Sequence, residues 1–262
     1  MRPLKAAEYA AGGLALQVEA LGHRFPDGTW AFRGIDFSLR CGEISLLAGR
    51  SGAGKSCLAK HMAGLLDATE GRVLLPREAQ CANKGSFAPY VGYLFQDARL
   101  QIVGETVLDD VLFGPSNLSI GPEAAMERAH AAISDCGLAG KEEAFVHSLS
   151  GGEMRRLAIA GLLAMRPRVL ILDEPFANLD WEGIISVLEI LKSLSGEHIA
   201  LLIVTHEIEK VLGLAQILTI LDMGSIVASG KPAEILSRGI EQFGLRDPLR
   251  QSRSIEDLSW LD

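Results

Sequence analysis

Gly49-Arg50-Ser51-Gly52-Ala53-Gly54-Lys55-Ser56 is the stretch that decides the reading of this chain. It fits the pattern G-x-x-x-x-G-K-[ST]. A triphosphate needs many hydrogen-bond donors and little steric bulk around it. Gly49, Gly52 and Gly54 allow the backbone to turn its N–H groups inward. The apolar run 44–48 leads into the loop as a short strand. From residue 55 to 66 apolar side chains recur at helical spacing, and the start of that helix adds its positive end. Lys55 is placed to reach the β- and γ-phosphates and Ser56 to offer a hydroxyl ligand to Mg²⁺. Strand, glycine loop and helix together distinguish a phosphate loop from a chance glycine-rich turn.

Two further apolar runs, 169–172 and 200–204, are bounded by polar residues, as central strands buried on both faces are. The first delivers Asp173 and Glu174 at its C-terminal end, the edge where open α/β sheets bind ligands. Asp173 is expected to hold Mg²⁺ through water, and Glu174 to orient and polarise the attacking water as general base. His206 follows Ile203-Val204-Thr205, so sheet order would set it beside Glu174 and within reach of a γ-phosphate. Upstream lies Leu149-Ser150-Gly151-Gly152-Glu153, a second serine-glycine loop opening a helix at 151–165. It has the chemistry to grip phosphates from the opposite side, but only those held by a second molecule.

The remaining chain bounds the answer. At 262 residues it accommodates one large α/β domain with an inserted subdomain. The net charge of −8 and absence of a basic stripe argue against a nucleic-acid partner. Cys41, Cys57, Cys81 and Cys136 are scattered and form no C-x-x-C pair, which reads as reduced residues of a cytoplasmic protein. The opening residues contain Glu8 and no apolar core of a signal peptide. No stretch approaches the roughly 20 apolar residues that span a bilayer; the longest, 211–221, carries Gly213 and Gln216. Work at a membrane would therefore require a membrane partner.

Residues 1–13 read as a loose lead-in. Strands are expected at 14–21, 36–40, 71–75 and 90–95. Between about 97 and 165 the character becomes helical, with helices at 106–113 and 123–136 separated by Gly114-Pro115 and Gly121-Pro122. Phe113-Gly114-Pro115 reads as a helix stop. A helix at 182–194 joins the two apolar strands, and 217–221 with 225–229 form a closing hairpin around Met223-Gly224. Residues 239–262 read as a peripheral tail.

In this order the motifs resemble the ATP-binding subunit of ABC transporters, over about residues 14–238. The resemblance implies an α/β P-loop NTPase fold with a mostly parallel core sheet, an N-terminal antiparallel β part and a helical insertion. It also implies ATP and Mg²⁺ as ligands. Two subunits, identical or paralogous, would pair head to tail with ATP between residues 49–56 of one and Ser150, Gly151, Gly152 and Glu153 of the other. Gln96 would reach the metal and the attacking water. Asp180, in Asn178-Leu179-Asp180, would cross towards the partner's site. Phe25 takes the place of the aromatic that stacks on adenine; tyrosine is more usual there, but stacking needs only a π face.

A finer resemblance follows Gln96. Gln96-Asp97, Gln101-Ile102, Thr106-Val107, Asp109-Asp110-Val111, Phe113-Gly114-Pro115 and Asn117-Leu118 look like the ATPases of energy-coupling-factor importers for vitamins or transition-metal ions. This implies a transmembrane coupling protein docking near residues 96–118, a membrane substrate-binding component, and a place on the cytoplasmic face of the membrane. Three positions depart from the pattern: Cys57 replaces a common threonine, Ala98 a frequent proline, and Phe176 a common threonine or serine. Alternatives are an ATPase of another ABC transporter class, a soluble ABC ATPase acting on DNA or the ribosome, and a small-molecule kinase. The single cassette, the lack of a heptad run and the acidic balance speak against the soluble ABC ATPase. A kinase leaves residues 149–153 and His206 unexplained.

Overall fold

A computed structural model gives the architecture and describes residues 12–76, 87–194 and 198–249. Most of the expected lead-in, Cys81, and the tail from residue 250 lie outside the described residues. Among those described, the strands form two sheets. The first is antiparallel: β1 (Leu14–Arg24) lies between β2 (Trp30–Arg40) and β4 (Glu70–Leu74). The second has the order β5-β6-β7-β3-β8-β9, from β3 (Ile44–Ala48), β5 (Val91–Leu94), β6 (Val169–Asp173), β7 (Ala200–Val204), β8 (Ile217–Asp222) and β9 (Ser225–Gly230). Its pairs are parallel except β8–β9.

β3, β6 and β7 are buried at every position, which is why they read as continuous apolar runs. Their two faces feed two cores. One lies towards the helices, with Leu46, Leu172, Ile203 and Leu157. The other lies towards the antiparallel sheet, with Leu47, Ile171, Leu202, Leu16 and Phe32. Helix α1 (Lys55–Met62) packs into the second core through Leu58, Ala59 and Met62. It stops short of residue 66 because Gly64, at φ 69°, takes the left-handed position after the last turn.

The helical insertion holds α2 (Val107–Ser116), α3 (Pro122–Asp135) and α4 (Gly151–Ala164). Helix α2 opens with a reciprocal cap between Thr106 and Asp109. It then runs through Pro115 instead of stopping before it. The residue before proline is normally barred from helical geometry by its Cβ; here that residue is Gly114, which has none. The missing N–H falls in the last turn, and Asn117 Nδ2 caps the Phe113 carbonyl at 2.7 Å.

Helix α5 (Trp181–Leu194) joins β6 to β7. β2 begins six residues earlier than the sequence pattern shows, at Trp30 rather than 36, because Gly34, at φ 67°, interrupts its alternation. Met223 and Gly224, both with positive φ, close the β8–β9 hairpin as expected. After α6 (Pro232–Leu236), Ile240 and Leu245 are buried in the larger core. The first part of the expected peripheral tail is therefore structural.

Candidate functional site

Parallel pairing places the C-terminal ends of β5, β6, β7 and β3 along one edge. Leu94 is level with Leu172, Asp173 with Val204, and Val204 with Leu47. Gln96, Asp173, Glu174, His206 and the phosphate loop follow one another along that edge. Gly49 has no room for a side chain: a Cβ would lie 2.0 Å from the Leu221 carbonyl oxygen. Gly52 and Gly54 hold φ of 82° and 99°. Ala53 is buried, while Ser51 and Gly52 are exposed at the loop's tip. Arg50 turns away and donates to the Gln242 carbonyl at 2.7 Å, which pins the C-terminal segment to the loop.

Lys55 is buried, and its ammonium donates to the Gly49 carbonyl at 2.8 Å and the Arg50 carbonyl at 3.0 Å. Burial pushes its pKa below the ordinary lysine value, opposed by the charges of Glu174 and Asp173. Ser56 Oγ donates to Asp173 Oδ1 at 3.0 Å, and the Tyr93 hydroxyl donates to Asp173 Oδ2 at 2.8 Å. Burial holds Asp173 above the usual carboxylate range despite these donors. The same burial, with Asp173 beside it, raises Tyr93.

Ser56 and Asp173 line one wall of a 760 Å³ cleft that also takes in Gln96, Asn178 and Gly151. Hydroxyl, carboxylate and amide oxygens are the hard donors that Mg²⁺ takes. Asp173, a buried carboxylate without an ion-pair partner at salt-bridge distance among the described residues, fits a divalent cation.

Glu174 sits at φ 47°, its backbone N–H bonded to the Val204 carbonyl at 2.8 Å. Its Oε2 accepts from Thr205 Oγ1 at 2.9 Å, and its Oε1 lies 2.7 Å from His206 Nδ1. The expected neighbourhood of Glu174 and His206 is thus present. Phe25 is 44% exposed just past the end of β1, with its ring edge-on to His23.

Ser150 caps α4. Its Oγ accepts from the Glu153 N–H, and Glu153 Oε2 accepts from the Ser150 N–H at 2.8 Å. Glu153 Oε1 pairs with Lys141. Asp180 caps α5 through the Gly183 N–H at 2.9 Å. Among the described residues no hydrogen bond joins 150–153 or Asp180 to the phosphate loop of the same chain. Ser150, Gly151 and Asp180 face solvent.

The hydrogen bond from Lys141, then that from the Ser150 backbone, holds the Glu153 carboxyl at about 2. A depressed folded-state pKa gives stability that is complete above the ordinary value of 4.5 and lost as pH falls towards 2. Glu153→Ala removes the acceptor of the Ser150 N–H and is expected to lower urea-unfolding stability by about 1 kcal/mol at pH 7. The partly solvated ion pair adds little. The difference between variant and parent should shrink below pH 4.5; a constant difference would refute this cap.

Sequence reasoning missed several site residues. Tyr93 orients Asp173 and Thr205 orients Glu174. Arg155, buried on α4, donates to the carbonyls of Phe95, Gln96 and Ala177 and so fixes the cleft around Gln96. A phenol within an apolar strand and an arginine among alanines and leucines were the available signals.

The fold and this edge define a phosphate-loop ATPase. The ABC transporter family model matches residues 32–177. The chain is 37% identical over 238 residues to the energy-coupling factor transporter ATP-binding protein EcfA of Methanosphaera stadtmanae, covering 89% of this chain and 86% of that protein. It is 38% identical over 239 residues to the cobalt import ATP-binding protein CbiO of Rhodobacter capsulatus, with 89% and 85% covered. The structure of CbiO1 from Clostridium perfringens, part of the transporter complex CbiONQ, superposes with a TM-score of 0.77 at 30% identity, covering 88% of this chain and 95% of that one. The chain belongs to the ABC transporter family, as an ATP-hydrolysing, ATP-binding subunit. Among the described residues no helix is long and apolar enough to cross a membrane.

Proposed function

We propose that this chain is the ATP-driven motor of an energy-coupling-factor importer for a transition-metal ion or a vitamin. The observation that carries the ATPase chemistry is the Glu174 carboxylate, held by Thr205 and His206 beside the phosphate loop. In this reading residues 49–56 cradle the phosphates and Phe25 stacks on the base. Ser56 and Asp173, with Gln96, hold Mg²⁺, which neutralises phosphate charge when bound. Glu174 takes the proton of the attacking water, and His206 contacts the γ-phosphate.

Two copies, or this chain and a paralogue, close head to tail. Ser150, Gly151 and Gly152 of the partner subunit cap the γ-phosphate, and Asp180 lines the interface. Glu153 serves by holding Ser150 in its cap. Only the closed pair contacts the γ-phosphate from both sides, so ATP favours closure and hydrolysis releases it.

The subgroup reading is supported by the relatives named EcfA and CbiO and by a groove of 540 Å³. Gln101, Val103, Phe113, Asn117, Leu118 and Met165 are among the residues that line it. All of these but Val103 and Met165 belong to the motif run that follows Gln96. Phe113 is 56% exposed and Val103 62%, which suits the apolar end of a transmembrane partner's helix. Such a partner, with a membrane substrate-binding component, would hold the chain on the cytoplasmic face.

The test is affinity purification of the tagged protein from native membranes with ATP, followed by mass spectrometry. A small multi-spanning coupling protein plus a substrate-binding membrane protein is the expected result. A permease of another type would keep the motor and discard the subgroup. Phe113→Asp is expected to abolish that co-purification while changing stability by less than about 0.5 kcal/mol, as surface substitutions do. Undiminished assembly would remove the groove from the interface.

A further inference from the structure

Three metal-ligating side chains meet between the antiparallel sheet and the phosphate-loop helix, outside the nucleotide edge. His23 stands near the end of β1. Cys57 and His61 lie one turn apart on α1, on the same face. Their ligand atoms are all within 4.8 Å of one another. His61 is 2% exposed, yet neither of its ring nitrogens has a hydrogen-bond partner, nor does His23 Nδ1. The Leu66 backbone approaches His61 without reaching hydrogen-bond geometry. Buried polar atoms are almost always satisfied, so orphaned nitrogens on both rings beside a thiol need an explanation, and one ion can take one nitrogen from each ring. The His23 and His61 ring centroids are 4.8 Å apart, and Phe32 closes the site edge-on to His61 at 5.7 Å.

We propose that His23, Cys57 and His61 form a site for a borderline-soft divalent transition-metal ion of the Zn²⁺, Co²⁺ or Ni²⁺ class. Two imidazoles and a thiolate suit such an ion and disfavour Mg²⁺, which takes oxygen. Metal–ligand bonds of about 2.0–2.3 Å in tetrahedral geometry put ligand atoms roughly 3.3–3.8 Å apart. The side chains therefore close by about an ångström on the ion, leaving a fourth position for water. The Cys57 proton is released to solvent as the thiolate binds. Cys57 follows Ser56 directly, and the His23 ring packs edge-on against Phe25 at 5.1 Å. An ion here ties β1 to α1 and steadies both the adenine-facing aromatic and the start of the phosphate-loop helix. No phosphate-loop or catalytic-edge residue supplies a ligand, so the site stands or falls separately from the ATPase reading.

The test is a Co²⁺ titration of the reduced, nucleotide-free, full-length protein, with excess Mg²⁺ to occupy the Ser56–Asp173 position. One tightly bound equivalent is expected, with the visible spectrum of four-coordinate Co²⁺ and a near-ultraviolet thiolate-to-cobalt band. Cys57→Thr should erase that band and weaken Co²⁺ binding at least tenfold; threonine is common at this position in the family, so the variant should fold. His23→Phe, at a half-buried position, should weaken binding similarly, with circular-dichroism melting to check the fold of each variant. Co²⁺ should raise the melting temperature of the parent and leave that of Cys57→Thr unmoved. Absence of the thiolate band would overturn the proposal, as would a band that persists in Cys57→Thr.

Discussion

Glu174→Gln is expected to lower ATP turnover by about 10²–10⁴-fold, the usual contribution of a general base, while leaving ATP binding intact. The side chain is held from two sides, by Thr205 Oγ1 at 2.9 Å and by His206 Nδ1 at 2.7 Å. Its position is set by the backbone, which anchors Glu174 to the Val204 carbonyl. Glutamine has the same shape and keeps one acceptor oxygen. The threonine hydroxyl can rotate to accept from an amide where it donated to a carboxylate, so the site should keep its geometry. What is lost is the oxygen able to take a proton from water. Hydrolysis should then fail after the nucleotide-bound pair has closed, and ATP-dependent dimers should accumulate. Phosphate release in the steady state and light scattering with ATP and Mg²⁺ measure the two halves of this result. Retained turnover would remove Glu174 as the base. Lost turnover without dimers would count against the cross-subunit role of Ser150, Gly151 and Gly152.

The parts of this site legible in the sequence are those governed by local geometry. β3 and β7 follow the expected bounds because continuous apolar runs end abruptly in polar residues. The phosphate loop is legible because Gly49 and Gly54 have no substitute at their backbone angles. His206 beside Glu174 follows once β6 and β7 are neighbours and parallel. Other features depend on contacts between distant segments. Tyr93 meets Asp173, Arg155 meets the Gln96 carbonyl and Arg50 meets Gln242 only after folding, and no spacing rule connects them. Pro115 misleads because the proline signal acts through the Cβ of the preceding residue, which Gly114 lacks. Ile240 and Leu245 sit among charged residues whose sequence average hides two buried anchors. Cys57 is conspicuous as a departure, but His23 and His61 gain meaning only from the packing of β1 on α1.

Lys55→Ala is expected to weaken ATP binding by about 30-fold or more. Truncating one member of a buried, hydrogen-bonded charge pair costs roughly 2–5 kcal/mol, and each 1.4 kcal/mol is about tenfold in affinity. Without nucleotide the ammonium is shared between the Gly49 and Arg50 carbonyls, so it spans the loop where phosphate oxygens would lie. Removing it leaves two carbonyls short of a donor, which destabilises the free protein. It also removes a charge that burial disfavours, as the lowered pKa records, which stabilises it. These two effects oppose each other in the free protein, whereas nothing offsets the loss of a cation in the ATP complex. Affinity should therefore fall much further than stability. Lys55→Met sharpens the comparison, because it restores most of the volume without the charge and should bind ATP as poorly as alanine. Lys55→Arg keeps the charge but spreads it over a planar fork in place of a compact ammonium; it too should bind weakly, showing that the position of the charge matters. Calorimetric ATP titrations paired with thermal melts of the nucleotide-free proteins separate the two quantities, and unchanged affinity in Lys55→Ala would detach the loop from the phosphates.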